Sequence, residues 1–400
     1  MTNNNELQRR KIVIFPELFY FGFTVLLSIL TLSHTLFNDF FPGRTVFTLR
    51  LLSYMILILF VLLNLKLYSF TVKKMLLFTA FVILSLISFY YSRAYFILDL
   101  LVLGIASIEI DFRNILRVYL TIQISISIVT LLASFAGIFV HYDFGSRVNL
   151  FGDVMNRSSL GFRYTTLGVQ VFFYISLAYW YLRRKSIEIY DMAIILLINM
   201  YLYNETGTRN AFLLIILEVI IMFIIYLEAG NVFKNLLDHK IIKYIFWIIF
   251  FISYYIGANF NSSNAVYQTI DEVTSGRAHL THMAFEMFPA KLFGTNLYVQ
   301  YQNYLSAFNM TSATSFLDSS YMQLFFNAGI IYTIVLLLLL TWILKKAIIK
   351  HNYYLVVVVL FIAVHSSMDP QLFEVSYNIF ILLIFRYFID NKSDKLKEIF

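Results

Sequence analysis

Arg44, Arg93, Arg147, Arg157, Arg163, Arg209 and Arg277 all fall in polar loops of one parity, whereas the lysines, Lys291 excepted, keep to loops of the other parity. Lysine on one side of alternating apolar stretches is ordinary membrane topology, but arginine on the opposite side has no topological benefit. A guanidinium is planar, permanently charged and grips phosphate oxygens in pairs, whereas an ammonium acts as a point charge. The arginines therefore predict a bound anion, a lipid diphosphate. Arg157, Arg163 and Arg209 lie close to expected membrane ends, and Arg277 opens a helix in a loop. A cation at mid-bilayer costs about 2.5–3.5 kcal/mol, and less at the interface, so such residues need a partner. An ion pair at about 4 Å and an effective dielectric near 20 contributes roughly 4 kcal/mol before desolvation. Contacts from Arg209 and Arg277 that tighten as charge develops on a departing phosphate would be catalytic. The plainer alternative is that these arginines snorkel to headgroups or pair with Asp143, Asp153, Glu205 or Asp271.

Asp318 stands between a long loop and an apolar run, where partial burial would raise its pKa enough for it to act as a general base. Its other available role is to cap the helix that follows. His279, His282 and Glu286 share a helical face, which makes the three a possible metal trio and His282 alternatively a base or a group that orients a hydroxyl, with the histidines otherwise expected to bind substrate. No Asp-x-Asp pair accompanies them in a loop of the same parity, so no metal is expected. His365, Asp369 and Glu374, in VHSSMDPQLFEVSYN, form a further polar cluster at a membrane end, expected to shape a substrate site, with Pro370 starting a return helix.

These side chains must be positioned by a membrane bundle. Of the 400 residues, 60% are hydrophobic and 13% charged, far from the roughly one-quarter charged of soluble domains. About twelve continuous apolar windows, each near the 20 residues that a helix needs to cross, exclude a β-barrel with its short alternating strands. They are expected at 15–37, 46–65, 75–92, 94–108, 115–140, 166–182, 187–203, 211–228, 241–258, 320–344, 353–366 and 372–389. The fold expected is a single all-α membrane domain over 1–400. The basic clusters of the lysine-bearing loops then place both termini in the cytoplasm, with the first apolar run read as a span rather than a cleaved leader. The net charge of +7 follows from these flanks and implies no nucleic acid. Without cysteine, neither disulfides nor thiolate chemistry enter. Two loops on the arginine side are long: 141–165, and 259–319 of roughly 60 residues, a length uncommon outside functional loops. Within the second, 275–288 (SGRAHLTHMAFEMF) reads as a helix with Leu280, Met283, Ala284 and Met287 on one face, lying on the membrane or over a cavity. A second helix is expected over 297–308.

Four short motifs, in this order, resemble the Wzy-type oligosaccharide repeat-unit polymerases, relatives of O-antigen ligases: NRSSLGFRY (156–164), NETGTRNAFL (204–213), SGRAHLTHMAFEMFPAKLFGTN (275–296) and DSSYMQLFFNAGII (318–331). Ten residues separate Arg157 from Gly168, as in an Arg-to-Gly pattern of that family, while the second such pattern is broken because Gly294 is the next glycine after Arg277. The resemblance implies a bundle of the membrane glycosyltransferase (GT-C-like) kind in the cell membrane, with the active site on its outer face. It implies a glycan on undecaprenyl diphosphate as donor and a second lipid-linked unit as acceptor, joined by inverting transfer without metal or other cofactor. Arg157, Arg163, Arg209 and Arg277 would hold the diphosphate; O-antigen ligases often carry His where Asp318 stands. The pathway implied is capsule or exopolysaccharide synthesis, with a flippase and a chain-length regulator as partners. A ligase acting on another acceptor would share all these arginines. A flippase or exporter would favour paired repeats with helices broken by Gly or Pro at mid-membrane, and the four prolines lie near span ends or in loops.

Overall fold

The computed structural model describes residues 13–389 except 69, 140–141, 143, 149–151, 228–236 and 309–316. Arg9, Arg10, Lys11, Lys234, Lys392, Lys395 and Lys397, as well as Asp143, lie outside the described residues. The chain is mostly helical, and among the described residues six helices are long and apolar enough to cross a membrane. The principal helices are α1 (Pro16–Leu32), α2 (Gly43–Leu63), α3 (Val72–Ser92), α4 (Tyr95–Ser107), α5 (Phe112–Phe135), α6 (Leu167–Arg183), α7 (Ile189–Thr206) and α8 (Arg209–Tyr226). They continue with α9 (Ile245–Asn259), α10 (Ala265–Val273), α11 (Arg277–Met287), α12 (Leu297–Ala307), α13 (Ser320–Gln323), α14 (Ile330–Ile349) and α15 (Tyr353–His365).

Local chemistry sets their ends. Pro16 opens α1, where its missing N–H costs nothing. Asp111 caps α5 by accepting from the Arg113 amide, and Glu188 with Asp191 forms a reciprocal capping box on α7. α15 is buried from Leu355 to Val359 and again at Phe361, Ile362 and Ala363, the all-round apolarity of a central helix. By contrast α2, α3 and α9 expose large apolar side chains such as Met55, Leu76 and Phe251, as lipid-facing helices do.

Four departures from the sequence expectation matter. The loop at 141–165 adds a strand pair to the expected all-α fold: β1 (Ser146–Val148) and β2 (Val154–Asn156) pair antiparallel, with Arg147 opposite Met155. The run 320–344 is not one helix, because a π-turn over Leu324–Ala328 and Gly329 separate α13 from α14. Chain crowding causes this break. A Cβ on Gly294 would sit 2.0 Å from the Asn327 carbonyl oxygen, and one on Gly329 would sit 2.2 Å from the Gly294 nitrogen. Thr295 N–H donates to Asn327, and the Ile330 and Ile331 N–H groups donate to Lys291 and Leu292, so the large loop is stitched into the break. Pro370 opens no helix, and 372–389 is a turn followed by a 3₁₀ segment over Ile379–Tyr387. That segment is buried from Ile379 to Arg386, and the Arg386 guanidinium donates to the carbonyls of Ser107, Ile108 and Ile110 at the end of α4. Lastly, the large loop holds a further helix, α10, which leads directly into α11.

Candidate active site

Arg277 is the first residue of α11, preceded by Gly276 in the left-handed region at φ 85°. The Asp271 carboxylate accepts from the His279 N–H at 2.8 Å and so caps the helix start. α11 is not a free surface helix. It packs on α9, where a Cβ on Gly257 would meet Thr281 Cγ2 at 2.5 Å and Phe285 Cε2 at 2.7 Å. The buried side chains of α11 are accordingly Ala278, Thr281, Ala284 and Met287, while Met283 is only partly covered.

Held this way, the Arg277 guanidinium lies between two carboxylates. Its Nε is 3.2 Å from Asp318 Oδ2, and its Nη2 is 3.6 Å from Asp369 Oδ1. Asp318 does not cap α13, whose N-cap is Ser319 with no side-chain cap bond; the carboxylate goes to Arg277 instead. Asp369 is buried and accepts from the side-chain amides of Gln170 on α6 and Asn210 on α8. The Gln371 amide donates to Gln170 Oε1 at 2.7 Å, which leaves the Gln170 amide aimed at the carboxylate. Ser320 Oγ donates to the Asp369 carbonyl, tying the turn to α13. His365 is fully buried, stacked on Phe173 at 4.3 Å, with Nε2 3.5 Å from Asp369 Oδ2.

Burial pushes the Asp369 carboxyl up to about 7; the Arg277 charge and the Asn210 and Gln170 amides oppose this, and nearby Asp318 adds to it. Burial also raises Asp318, against the pull of Arg277. Both carboxyls are thus shifted toward the range where a general base works near neutral pH.

Around this pair the hairpin gathers further guanidinium groups. Arg147 on β1 donates to Ser275 Oγ at 3.0 Å, two residues before Arg277. Arg209, opening α8, donates to the Val148 carbonyl, and its Nε is buried without a hydrogen-bond partner. Arg157, just after β2, donates to the Thr206 carbonyl at 2.9 Å and to Thr165 Oγ1. Burial, and then the charges of Arg209, Arg157 and Arg277, depress the proton affinity of Arg147, which places those three within electrostatic range of it. Burial likewise lowers Arg157.

Other sequence candidates fall elsewhere. Arg163 pairs with Asp39, and its N–H donates to the His34 carbonyl, on the side of the molecule where α1 ends. His282 Nδ1 lies 2.8 Å from the Gly257 carbonyl oxygen and Nε2 lies 3.8 Å from Glu286, so it braces α11 on α9. His279 is exposed, with its ring near Phe260. Among the described residues no three His, Asp or Glu side chains form a group that could hold a metal ion. Gln170, Asn210 and Gln371 were missed by sequence reasoning. The only signal was a lone amide in the apolar run LGVQVFFY and the residue next to Arg209.

A cavity of about 640 Å³ runs between α5, α6 and α7. Its lining is apolar except for Ser127, Ser176, Tyr179, Asp191 and Tyr201. It extends from Phe162, Gly168 and Leu202 to Tyr179 and Asp191, and exposed Ile128, Ile194 and Leu197 leave it open on the flank of the bundle. The Gly168 end lies three residues past Thr165, the partner of Arg157. No family model, curated protein or solved structure matches the chain.

Proposed function

We propose that this chain is a membrane glycosyltransferase that polymerises oligosaccharide repeat units carried on undecaprenyl diphosphate. In this reading about twelve segments cross the cell membrane, both termini are cytoplasmic, and the arginine-bearing loops face outward. The observation that carries it is the gathering of Arg147, Arg157, Arg209 and Arg277 beside the carboxylates of Asp318 and Asp369.

The donor diphosphate binds among the guanidinium groups, and Arg277 meets the oxygen nearest the sugar. An acceptor hydroxyl attacks the anomeric carbon from the face opposite the diphosphate. The carbon–oxygen bond to the leaving group breaks, undecaprenyl diphosphate departs with the bonding electrons, and the hydroxyl proton passes to Asp318. The configuration inverts and the chain grows by one unit. Preorganised guanidinium groups neutralise the charge that develops on the leaving group, a role a metal ion plays in other transferases. Asp369, with Gln170, Asn210 and His365 behind it, fixes the second edge of Arg277. The flank cavity between α5, α6 and α7 offers an apolar berth for the polyprenyl chain, with its Gly168 end near Arg157.

The test uses purified protein and a synthetic undecaprenyl-diphosphate repeat unit, with products resolved by length. Wild type yields a ladder, while Arg277→Ala and Arg209→Ala lower the rate about a hundredfold or more, the scale of losing one charge-stabilising donor. A ladder of undiminished rate from either variant would remove the arginines from the chemistry. Transfer to a different acceptor, with no ladder, would favour a ligase.

A further inference from the structure

Away from Arg277, the turn 371–378 carries a second polar group on its other flank. His34, just past the end of α1, faces Glu374 and Ser376: its Nε2 is 3.5 Å from Glu374 Oε2 and 3.4 Å from Ser376 Oγ. The His34 ring lies 4.7 Å from that of Tyr377. The backbone behind these side chains is firmly held. Gln123 donates to the Ser376 carbonyl, Tyr119 donates to the Tyr377 carbonyl, and Asn378 closes the turn onto the Leu372 carbonyl at 2.8 Å. The side chains themselves meet only at the long distances given above. The His34 and Glu374 side chains keep 23% and 29% of their surface exposed although the flanking residues Thr35, Phe373 and Val375 are buried, so the pair lines an opening. The Tyr377 hydroxyl is buried with no hydrogen-bond partner, and it lies within electrostatic range of both Glu374 and Asp369. A buried polar atom left without a partner calls for a ligand or water.

The charge at this opening selects the ligand. Arg50, whose charge reaches Glu374, is already bound by Asp99 through two hydrogen bonds, and Tyr54 adds a third to the same carboxylate. Arg163, whose charge reaches His34, is paired with Asp39. The partly exposed groups are therefore a carboxyl and an imidazole, with the Ser376 hydroxyl and the Tyr377 side chain buried directly behind them, and the guanidinium groups of Arg50 and Arg163 are committed to carboxylates of their own. Such a set disfavours phosphate and suits a neutral polyhydroxylated ring: the carboxylate accepts from hydroxyls, the imidazole bridges to others, and a hydroxyl reaching inward would meet Ser376 and the unpartnered Tyr377 hydroxyl. We propose that His34 and Glu374, backed by Ser376 and Tyr377, form a binding subsite for the saccharide of the acceptor, on the segment that follows Asp369. The inference rests on the glycosyl-transfer reading and locates its second substrate. Asp369, which holds Arg277, and Glu374 lie five residues apart on one segment, which ties the two sites together.

The test measures the two ligands separately on the full-length protein in nanodiscs. Free glucose, galactose, rhamnose and N-acetylglucosamine, and disaccharides of these, are screened at millimolar concentration by saturation-transfer NMR, and undecaprenyl diphosphate binding is followed by native mass spectrometry. At least one saccharide gives a signal with wild type. Glu374→Gln and His34→Ala weaken it at least tenfold, whereas Arg277→Ala leaves it unchanged. Undecaprenyl diphosphate shows the reverse pattern. Ser376→Ala serves as a further variant should either of the others elute as aggregate. No saccharide signal from wild type, or a signal indifferent to Glu374 and His34, overturns the subsite even if the diphosphate binds as expected. A saccharide signal with no diphosphate binding keeps the subsite and defeats the polymerase reading.

Discussion

Replacing Asp369 by asparagine isolates the carboxyl on which the site converges. Burial carries this group from an ordinary value of 3.8 up to about 7. One unit corresponds to about 1.4 kcal/mol, so ionising it in the folded protein costs about 4 kcal/mol more than in the unfolded chain. The side chain is 4% exposed, so solvent screening takes little from this figure. The sign follows from proton counting. Between about pH 4 and 7 the folded state holds more protons at this position than the unfolded state, so its contribution is fully present below the unfolded value and is lost as pH rises toward 7. Asp369→Asn keeps the shape, still meets one of the two amides, and removes the titration. Melting of detergent-solubilised protein is to be compared at pH 5 and pH 8, with the scan rate held constant because membrane proteins often unfold irreversibly. Wild type loses more stability than the variant over that interval. Equal losses, or a wild type that gains stability as pH rises, refute the assignment of a buried, proton-holding carboxyl at Asp369.

Two further outcomes follow from the placement of single residues. Arg163→Ala leaves undecaprenyl diphosphate affinity within about twofold of wild type, because its partner is Asp39 in an exposed pair of the kind that contributes about 0–1 kcal/mol, while Arg157→Ala weakens it about tenfold or more; native mass spectrometry separates the two. Gly294→Ala destabilises the fold by about 1–3 kcal/mol or more, since its Cβ would overlap the Asn327 carbonyl and unstitch the large loop from the α13–α14 break; a lowered melting temperature in detergent checks it.

The apolar windows located helices wherever one uninterrupted run faces lipid, as in α2, α3, α5 and α8. They misjudged 320–344 and 372–389 for a common reason. Hydropathy records how apolar a run is, and the parts that depart, 320–329 and 372–389, are apolar because they are packed within protein, where tertiary contacts rather than the bilayer choose the backbone. The Gly294–Gly329 approach and the carbonyls that receive Arg386 are long-range features that no local window contains. The helix at Arg277 was legible because its boundaries are local, a glycine before it and Pro289 after it. The partners of Arg277 were half legible. Asp318 and Asp369 were named for their positions at membrane ends, but their convergence on one guanidinium depends on the loop being pinned at Gly294.

That convergence also explains why a site proposed to take an anion contains carboxylates. Arg277 alone among the four arginines is held by two of them. Arg157 and Arg209 donate to neutral carbonyl and hydroxyl oxygens, which fix their geometry and leave their charge available. Guanidinium groups crowded together repel one another, and the proton affinity of Arg147, depressed first by burial, is lowered further by the charges of Arg209, Arg157 and Arg277. Asp318 and Asp369 relieve it when no anion is bound. A diphosphate entering the cluster competes with them for Arg277, and a carboxylate that loses its cation binds a proton more tightly. Binding of the donor in the proposed reaction thus raises the basicity of Asp318 at the moment when the acceptor hydroxyl must give up its proton, which couples occupancy of the anion site to the chemistry beside it.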